Sequence, residues 1–329
     1  MVADLAAGLT ARGHAVHVFA AEGSFIEGAT VVETGIASAP LAPALFRAGR
    51  PSRSLPVVAE AFRHVYGLIG GRRYDVVHNH AFDVPAVSLS RDLGCSVVHT
   101  LHLPPDEAVA GALREAASAS PMIVAAVSNS LRGAWSNFVR VDALLRNGVP
   151  VRRIPWSAQA GRPALFAGRF SPEKGALEAL EIAERAGLPI TLIGNAYDPG
   201  YARMVEKRCR SVKGARIEPT VPREVLWKRM SESAVVLCPA RWEEPFGMVA
   251  AESLAAGTPV VGFARGGLVE VVGTEQTGEL VPDGDIPAAV AAVGRSASIE
   301  REACRRHAEA TLDLEQTLDA HESLYRSLV

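Results

Sequence analysis

Residues 235–256 read VVLCPARWEEPFGMVAAESLAA. The opening run 235–238 is apolar and β-branched, short enough for a strand buried in a parallel sheet, and residues 248–256 read as a helix. Loop 241–247 joins them. Strand, loop and helix in that order place a helix N-terminus at the carboxyl edge of a sheet. Free N–H groups and the helix dipole hold anions there.

The same alternation runs outward in both directions. Strands are expected at 15–19, 75–78, 96–99 and 123–127 in the first half, and at 164–167, 190–193, 235–238 and 259–263 in the second. Ala-rich and Leu-rich helical stretches separate them, which is the pattern of repeated βα units. The expected fold class is therefore α/β, with two doubly wound, Rossmann-like domains. The domains are expected to span 1–152 and 153–311, because 152–161 interrupts the periodicity with Arg153, Pro155, Trp156 and a polar run. After a second break near Thr311, Leu314, Leu318, Leu324 and Leu328 recur at near-helical spacing. The segment 312–329 is expected to pack back on the first domain. Residues 37–54, holding Pro40, Pro43, Gly49 and Pro51, read as the longest loop.

The chain opens on an apolar helical face, Val2, Leu5, Ala6 and Leu9, closed by Arg12 and Gly13. Such a helix normally follows a strand, and none precedes it in this sequence. With Asp4 inside it and no basic leader, the segment does not read as a signal peptide.

Composition narrows the partners. Lys and Arg total 34 and Asp and Glu 36 in 329 residues, a net charge of −2 with no basic block. Nucleic acid and anionic membranes are disfavoured as main partners. Cys95, Cys209, Cys238 and Cys304 are too far apart for a zinc or dithiol motif and read as reduced thiols in a cytoplasm. No apolar run approaches the roughly 18 residues that span a bilayer.

Two acids sit on the opening stretch. Glu244 lies just before the helix, and Glu252, eight residues on, lies inside it. A carboxylate there suits a polyhydroxylated ligand, because it accepts two hydrogen bonds and is partly compensated by the dipole. The ordinary alternative makes one a helix-start acid and the other a solvated face residue. Gly168-Arg169-Phe170-Ser171-Pro172-Glu173-Lys174-Gly175 follows the strand 164–167 and precedes a helix. Its two cations and flanking glycines suit a diphosphate, and it is equally a plain turn started by Ser171 and Pro172. Gly266 and Gly267 would allow close backbone approach to a ligand.

Histidines gather in the first half: His78 and His80 at one strand end, His99 and His102 at another. No HExxH pattern or cysteine partner accompanies them, so they are read as substrate-facing hydrogen-bonding groups rather than metal ligands. His14 and His17 read as structural, and His307 and His321 have no partner in view.

Taken together, these residues resemble the GT-B retaining glycosyltransferases, glycosyltransferase family 4. The matching elements are Asp75-Val-Val-His78, Thr100-Leu-His102, Val127-Ser128, Asn147-Gly148-Val149, Gly168-Arg169 through Lys174-Gly175, Glu244-Pro-Phe-Gly247 through Glu252, Gly257-Thr258-Pro259-Val260-Val261, and Gly266-Gly267 through Glu270. The acid, seven residues, acid spacing from Glu244 to Glu252 is the most specific of them.

The resemblance implies a donor site of Gly168, Arg169, Lys174, Glu244, Phe246, Gly247, Met248, Val249, Glu252, Gly266 and Gly267. Arg169 and Lys174 would neutralise a donor diphosphate, Glu252 would hold ribose hydroxyls, and Glu244 a hydroxyl of the transferred sugar. Amides of Gly247, Met248 and Val249 would lie near the phosphates. His102 would reach that sugar from the other domain, with His78 and His80 on the acceptor side of the cleft.

The implied catalytic set is His102, Arg169, Lys174 and Glu244, with no metal and no cofactor. The donor would be a nucleotide-diphosphate sugar, UDP or GDP foremost, and the acceptor a small molecule or glycolipid, which leaves room for peripheral membrane contact. Members of the family also begin with a strand and a glycine-rich loop, so the first strand of the N-terminal domain is expected to be missing here. An epimerase or hydrolase of the same architecture, or a non-catalytic nucleotide-sugar binding protein, are the alternative readings.

Overall fold

In a computed structural model of the chain, the structure describes residues 1–36, 56–119, 121–159 and 161–329. The long loop expected at 37–54 lies outside the described residues. The chain divides into two compact units: Met1–Arg146 with Thr317–Val329, and Asn147–Gln316.

The first unit holds two parallel sheets. One pairs β1 (His17–Ala20) with β2 (Thr30–Glu33); the other has β3 (Val76–Asn79), β4 (Ser96–Leu101), β5 (Met122–Ala126) and β6 (Ala143–Leu144) in the order 3-4-5-6. Tyr74, two residues ahead of β3, meets the smaller sheet: its hydroxyl is 2.7 Å from His17 Nδ1 and its ring stands edge-on to Phe19. Within β4 only Ser96 escapes full burial, as expected of an interior parallel strand. The helix Leu314–Arg326 packs its apolar side against this unit, with Leu324 and Tyr325 on a cluster of Val98, Ala125 and Leu145. Leu318 lies so close to Gly8 of the helix Val2–Ala11 that a Cβ there would come within 2.7 Å of it.

The second unit is a single six-stranded parallel sheet made of β7 (Ala164–Ala167), β8 (Ile190–Ile193), β9 (Ala215–Glu218), β10 (Val235–Cys238), β11 (Val260–Phe263) and β12 (Gly278–Val281), in the order 12-11-10-7-8-9. The chain therefore winds outward from β7 to β9, returns to β10 beside β7, and winds the other way. In doubly wound sheets ligands bind outside the carboxyl ends of the two strands that flank such a reversal. Here those strands are β7 and β10.

β2, β6, β9 and β12 were not expected. Each is the edge of its sheet, and β2 and β9 carry exposed or half-exposed positions instead of a continuous apolar run. Among the described residues no helix is long and apolar enough to cross a membrane.

Candidate functional site

The turn after β7 and the loop after β10 leave the sheet side by side at the reversal. They touch: a Cβ on Gly175, whose φ is +74°, would lie 2.0 Å from the Pro239 carbonyl oxygen. The Arg241 amide donates to the Glu173 carbonyl across 2.9 Å. Only glycine permits so close an approach in a left-handed conformation.

Two residues 70 apart in sequence are thereby joined. Lys174 Nζ lies 2.7 Å from Glu244 Oε2, with both side chains about four-fifths buried. Trp242 Nε1 donates to the same oxygen across 2.7 Å, and the ammonium stands 4.6 Å from the centre of that indole. Arg169 stacks its guanidinium on Tyr197 at 4.4 Å and lies 3.5 Å from Glu173. Beneath them the Cys238 thiol is pushed up to about 12 by burial and by Glu244, with Lys174 opposing, so it remains protonated and is a poor nucleophile.

The helix Met248–Ala255 starts on Gly247, at φ +106°, and among the described residues no side chain caps it. Its first-turn amides and the positive end of its dipole therefore face the loop without an internal partner. Phe246 is buried. Gly266 and Gly267 buttress the loop: the Gly267 amide donates to the Glu244 carbonyl at 2.6 Å, and a Cβ on Gly266 would lie 2.3 Å from that oxygen. Arg265 ties Glu243 to Asp283.

Glu252 is not a solvated face residue. It is 6% exposed, and Arg223, the first residue of the helix Arg223–Ser231, donates from Nε to Glu252 Oε1 at 2.7 Å while stacking on Trp227 at 4.8 Å. Burying a carboxylate requires such a partner. Trp242, Arg223 and Tyr197 are members of this constellation that the sequence reading missed.

In the first unit, His78, His80 and His102 form a run with His321 of the C-terminal helix. The rings of His78 and His80 stack at 4.1 Å, His80 Nδ1 is 3.0 Å from His102 Nε2, and His78 bonds Tyr325 at 2.5 Å and Thr100 at 2.6 Å. Burial and the neighbouring imidazoles push His78 and His80 well below 6.5, and burial takes His102 to about 4. The run is neutral at physiological pH, so each ring can donate from one nitrogen and accept at the other. His99 is separate: Asn79 and Ser90 hold its two nitrogens at 2.8 and 2.9 Å.

His321, for which the sequence offered no partner, thus joins the cluster at 5.5 Å from His78, and His307 bonds the Val271 carbonyl. Among the described residues no group of three or more His, Cys, Asp or Glu side chains is arranged to hold a metal ion.

Comparison with known proteins agrees with this architecture. Residues 1–153 match the model described as Glycosyltransferase Family 4, and residues 158–311 the model described as Glycosyl transferases group 1. A glycogen synthase from Mycobacterium tuberculosis (strain CDC 1551 / Oshkosh) is 29% identical over 266 residues, covering 72% of this chain and 63% of its own length. The chain thus spans under two thirds of that relative.

Among solved structures, the sucrose-phosphate synthase from Thermosynechococcus elongatus superposes with a TM-score of 0.80 at 21% identity, over 99% of this chain and 92% of its own. Anabaena HepE, solved in complex with UDP and glucose, gives 0.77 at 17% identity, over 99% and 95%. The two family models together match 1–153 and 158–311, and the chain belongs to the glycosyltransferases, with a Glycosyltransferase Family 4 part followed by a Glycosyl transferases group 1 part in the GT-B fold.

Proposed function

We propose that this chain transfers a sugar, with retention of anomeric configuration and without a metal, from a nucleotide-diphosphate sugar to a small-molecule or glycolipid acceptor. The observation that carries this reading is the meeting of Lys174 and Glu244 at the strand-order reversal, beside an uncapped helix N-terminus. That is one cation for a diphosphate, one carboxylate for a sugar hydroxyl, and open amides between them.

In this reading Lys174 and Arg169 neutralise the diphosphate, amides of Gly247, Met248 and Val249 meet its oxygens, and Glu252 accepts from the ribose hydroxyls. Glu244 holds a hydroxyl of the sugar. As the bond from the anomeric carbon to the β-phosphate oxygen breaks, the acceptor hydroxyl oxygen bonds to that carbon and its proton passes to the departing diphosphate, on which charge develops. In this reading Lys174 and Arg169 stabilise it, a role that needs no divalent ion. Glu244 is a positioning group, since a carboxylate held by sugar hydroxyls is a weak nucleophile. The acceptor is assigned to the first unit, with His102, His78 and His80 as groups for sugar and acceptor hydroxyls; their neutral state suits that hydrogen bonding.

The complex of HepE with UDP and glucose supports a uridine donor, with GDP as the other candidate. Incubation with UDP-glucose or GDP-mannose and a panel of acceptors tests the reading by release of nucleoside diphosphate together with a glycosylated product. Diphosphate release that is independent of acceptor would favour hydrolysis, and binding without turnover a non-catalytic role.

A further inference from the structure

The two groups assigned to the donor are paired with each other. Lys174 Nζ donates to Glu244 Oε2, and the indole N–H of Trp242 donates to that same oxygen. Among the described residues nothing donates to Glu244 Oε1. A bound diphosphate would draw the ammonium away, because a phosphate oxygen is a better seat for it than a carboxylate already shared with another donor. Glu244 would then lose its counter-charge at the moment it must meet the sugar.

Trp242 is placed to hold it. The indole lies two residues from Glu244 on a loop fixed independently of Lys174: the Arg241 amide bonds Glu173, Arg265 bonds Glu243, and the Gly267 amide bonds the Glu244 carbonyl. The N–H therefore stays where it is whether or not the ammonium does. We infer that Trp242 is a positioning residue for the donor sugar: its N–H pins Glu244 Oε2, turning Oε1 outward to accept from a sugar hydroxyl while its ring face lets Lys174 swing to the diphosphate. This rests on the donor-site reading above. It adds that recognition of the sugar, as distinct from the nucleotide, depends on a residue that touches neither.

Trp242→Phe separates the two jobs, since phenylalanine keeps a ring face for the ammonium and removes the N–H. Titration calorimetry with UDP and with UDP-glucose should give, relative to the wild-type chain, an unchanged Kd for UDP and a Kd for UDP-glucose raised about ten- to a hundredfold, the loss expected for one hydrogen bond to a charged acceptor. Retained UDP affinity shows that the variant folds. In a Glu244→Ala background the same substitution should have no further effect on UDP-glucose, because the residue acts through the carboxylate.

Equal weakening of both ligands would make Trp242 merely structural, and no change in either would remove it from the site; both outcomes overturn the inference. A wild-type chain that binds neither ligand would overturn the donor reading itself, and the inference with it.

Discussion

Arg223 Nε donates to Glu252 Oε1 across 2.7 Å, joining the first residue of one helix to the interior of another. Glu252 is 8% exposed at its side chain, whereas Arg223 keeps 30%, so the pair is buried from the carboxylate's side. One oxygen is thereby held, and in the proposed donor site the other would accept from a ribose hydroxyl. Arg223→Leu should loosen the carboxylate, weaken UDP binding about tenfold and narrow the preference for UDP over 2′-deoxy-UDP. Calorimetry with UDP and 2′-deoxy-UDP measures both, and an unchanged preference for the ribose would disconnect Arg223 from Glu252's task.

Lys174→Ala should lower kcat by about 10²–10³-fold, the cost of removing one preorganised group that stabilises developing charge. The fold should survive, because Glu244 Oε2 keeps the Trp242 N–H as a donor when the ammonium is gone. Circular dichroism and a melting curve within a few degrees of wild type, measured beside turnover, make the test. An unchanged rate takes Lys174 out of the mechanism.

Gly266 supports Glu244 from behind. At φ +58° and with Glu244's carbonyl oxygen 2.3 Å from where a Cβ would stand, alanine is both strained and blocked. Gly266→Ala should destabilise the second unit by about 1–3 kcal/mol and weaken UDP-glucose binding by displacing the loop. Gly284, at φ +75° with open space around it, is the control: Gly284→Ala carries the backbone strain alone and should leave binding intact. Equal effects from the two would deny the loop's dependence on Gly266.

The first unit should be acid-labile. His99, 2% exposed, is lowered by burial to about 4 from 6.5, and His102 likewise to about 4. The unfolded chain takes up these protons near pH 6.5, while the folded chain refuses them until about pH 4. Stability is therefore full above pH 6.5 and is lost as pH falls from there toward 4, on the order of 3 kcal/mol from His99 alone. Scanning calorimetry between pH 7 and 4 should show the melting temperature falling, and His99→Gln, which keeps groups able to bond Asn79 and Ser90, should flatten the slope. The same slope in the variant would assign the lability elsewhere.

Strands buried on both faces were the legible part of the fold. β7, β8, β10 and β11 sit in the interior of their sheet and carry no charged residue, whereas β9 and β12, at its edges, include Arg216, Glu218 and Glu279. Missing β9 had a consequence for the site. Arg223 follows that strand after a short turn, and without it nothing assigned the arginine a place beside Glu252.

Glu244 and Lys174 were visible because each lies in a strand-to-helix connection of recognisable chemistry, and Glu252 because it stands eight residues after Glu244 in the helix that follows. Trp242 was equally near in sequence, but a tryptophan in a loop carries no spacing signal, and its role depends on where the Lys174 ammonium comes to rest. His321 lay further out of reach: 243 residues separate it from His78, and only the return of the last helix onto the first unit brings them together.

Titration of the wild-type chain and of Glu252→Ala with UDP tests the central claim most directly, because that claim is nucleotide binding at the reversal between β7 and β10. The account predicts a single saturable site on the wild-type chain and affinity reduced at least tenfold in the variant, with the melting temperature of the free protein showing that the variant is folded. Saturable binding of equal strength to both chains would contradict it.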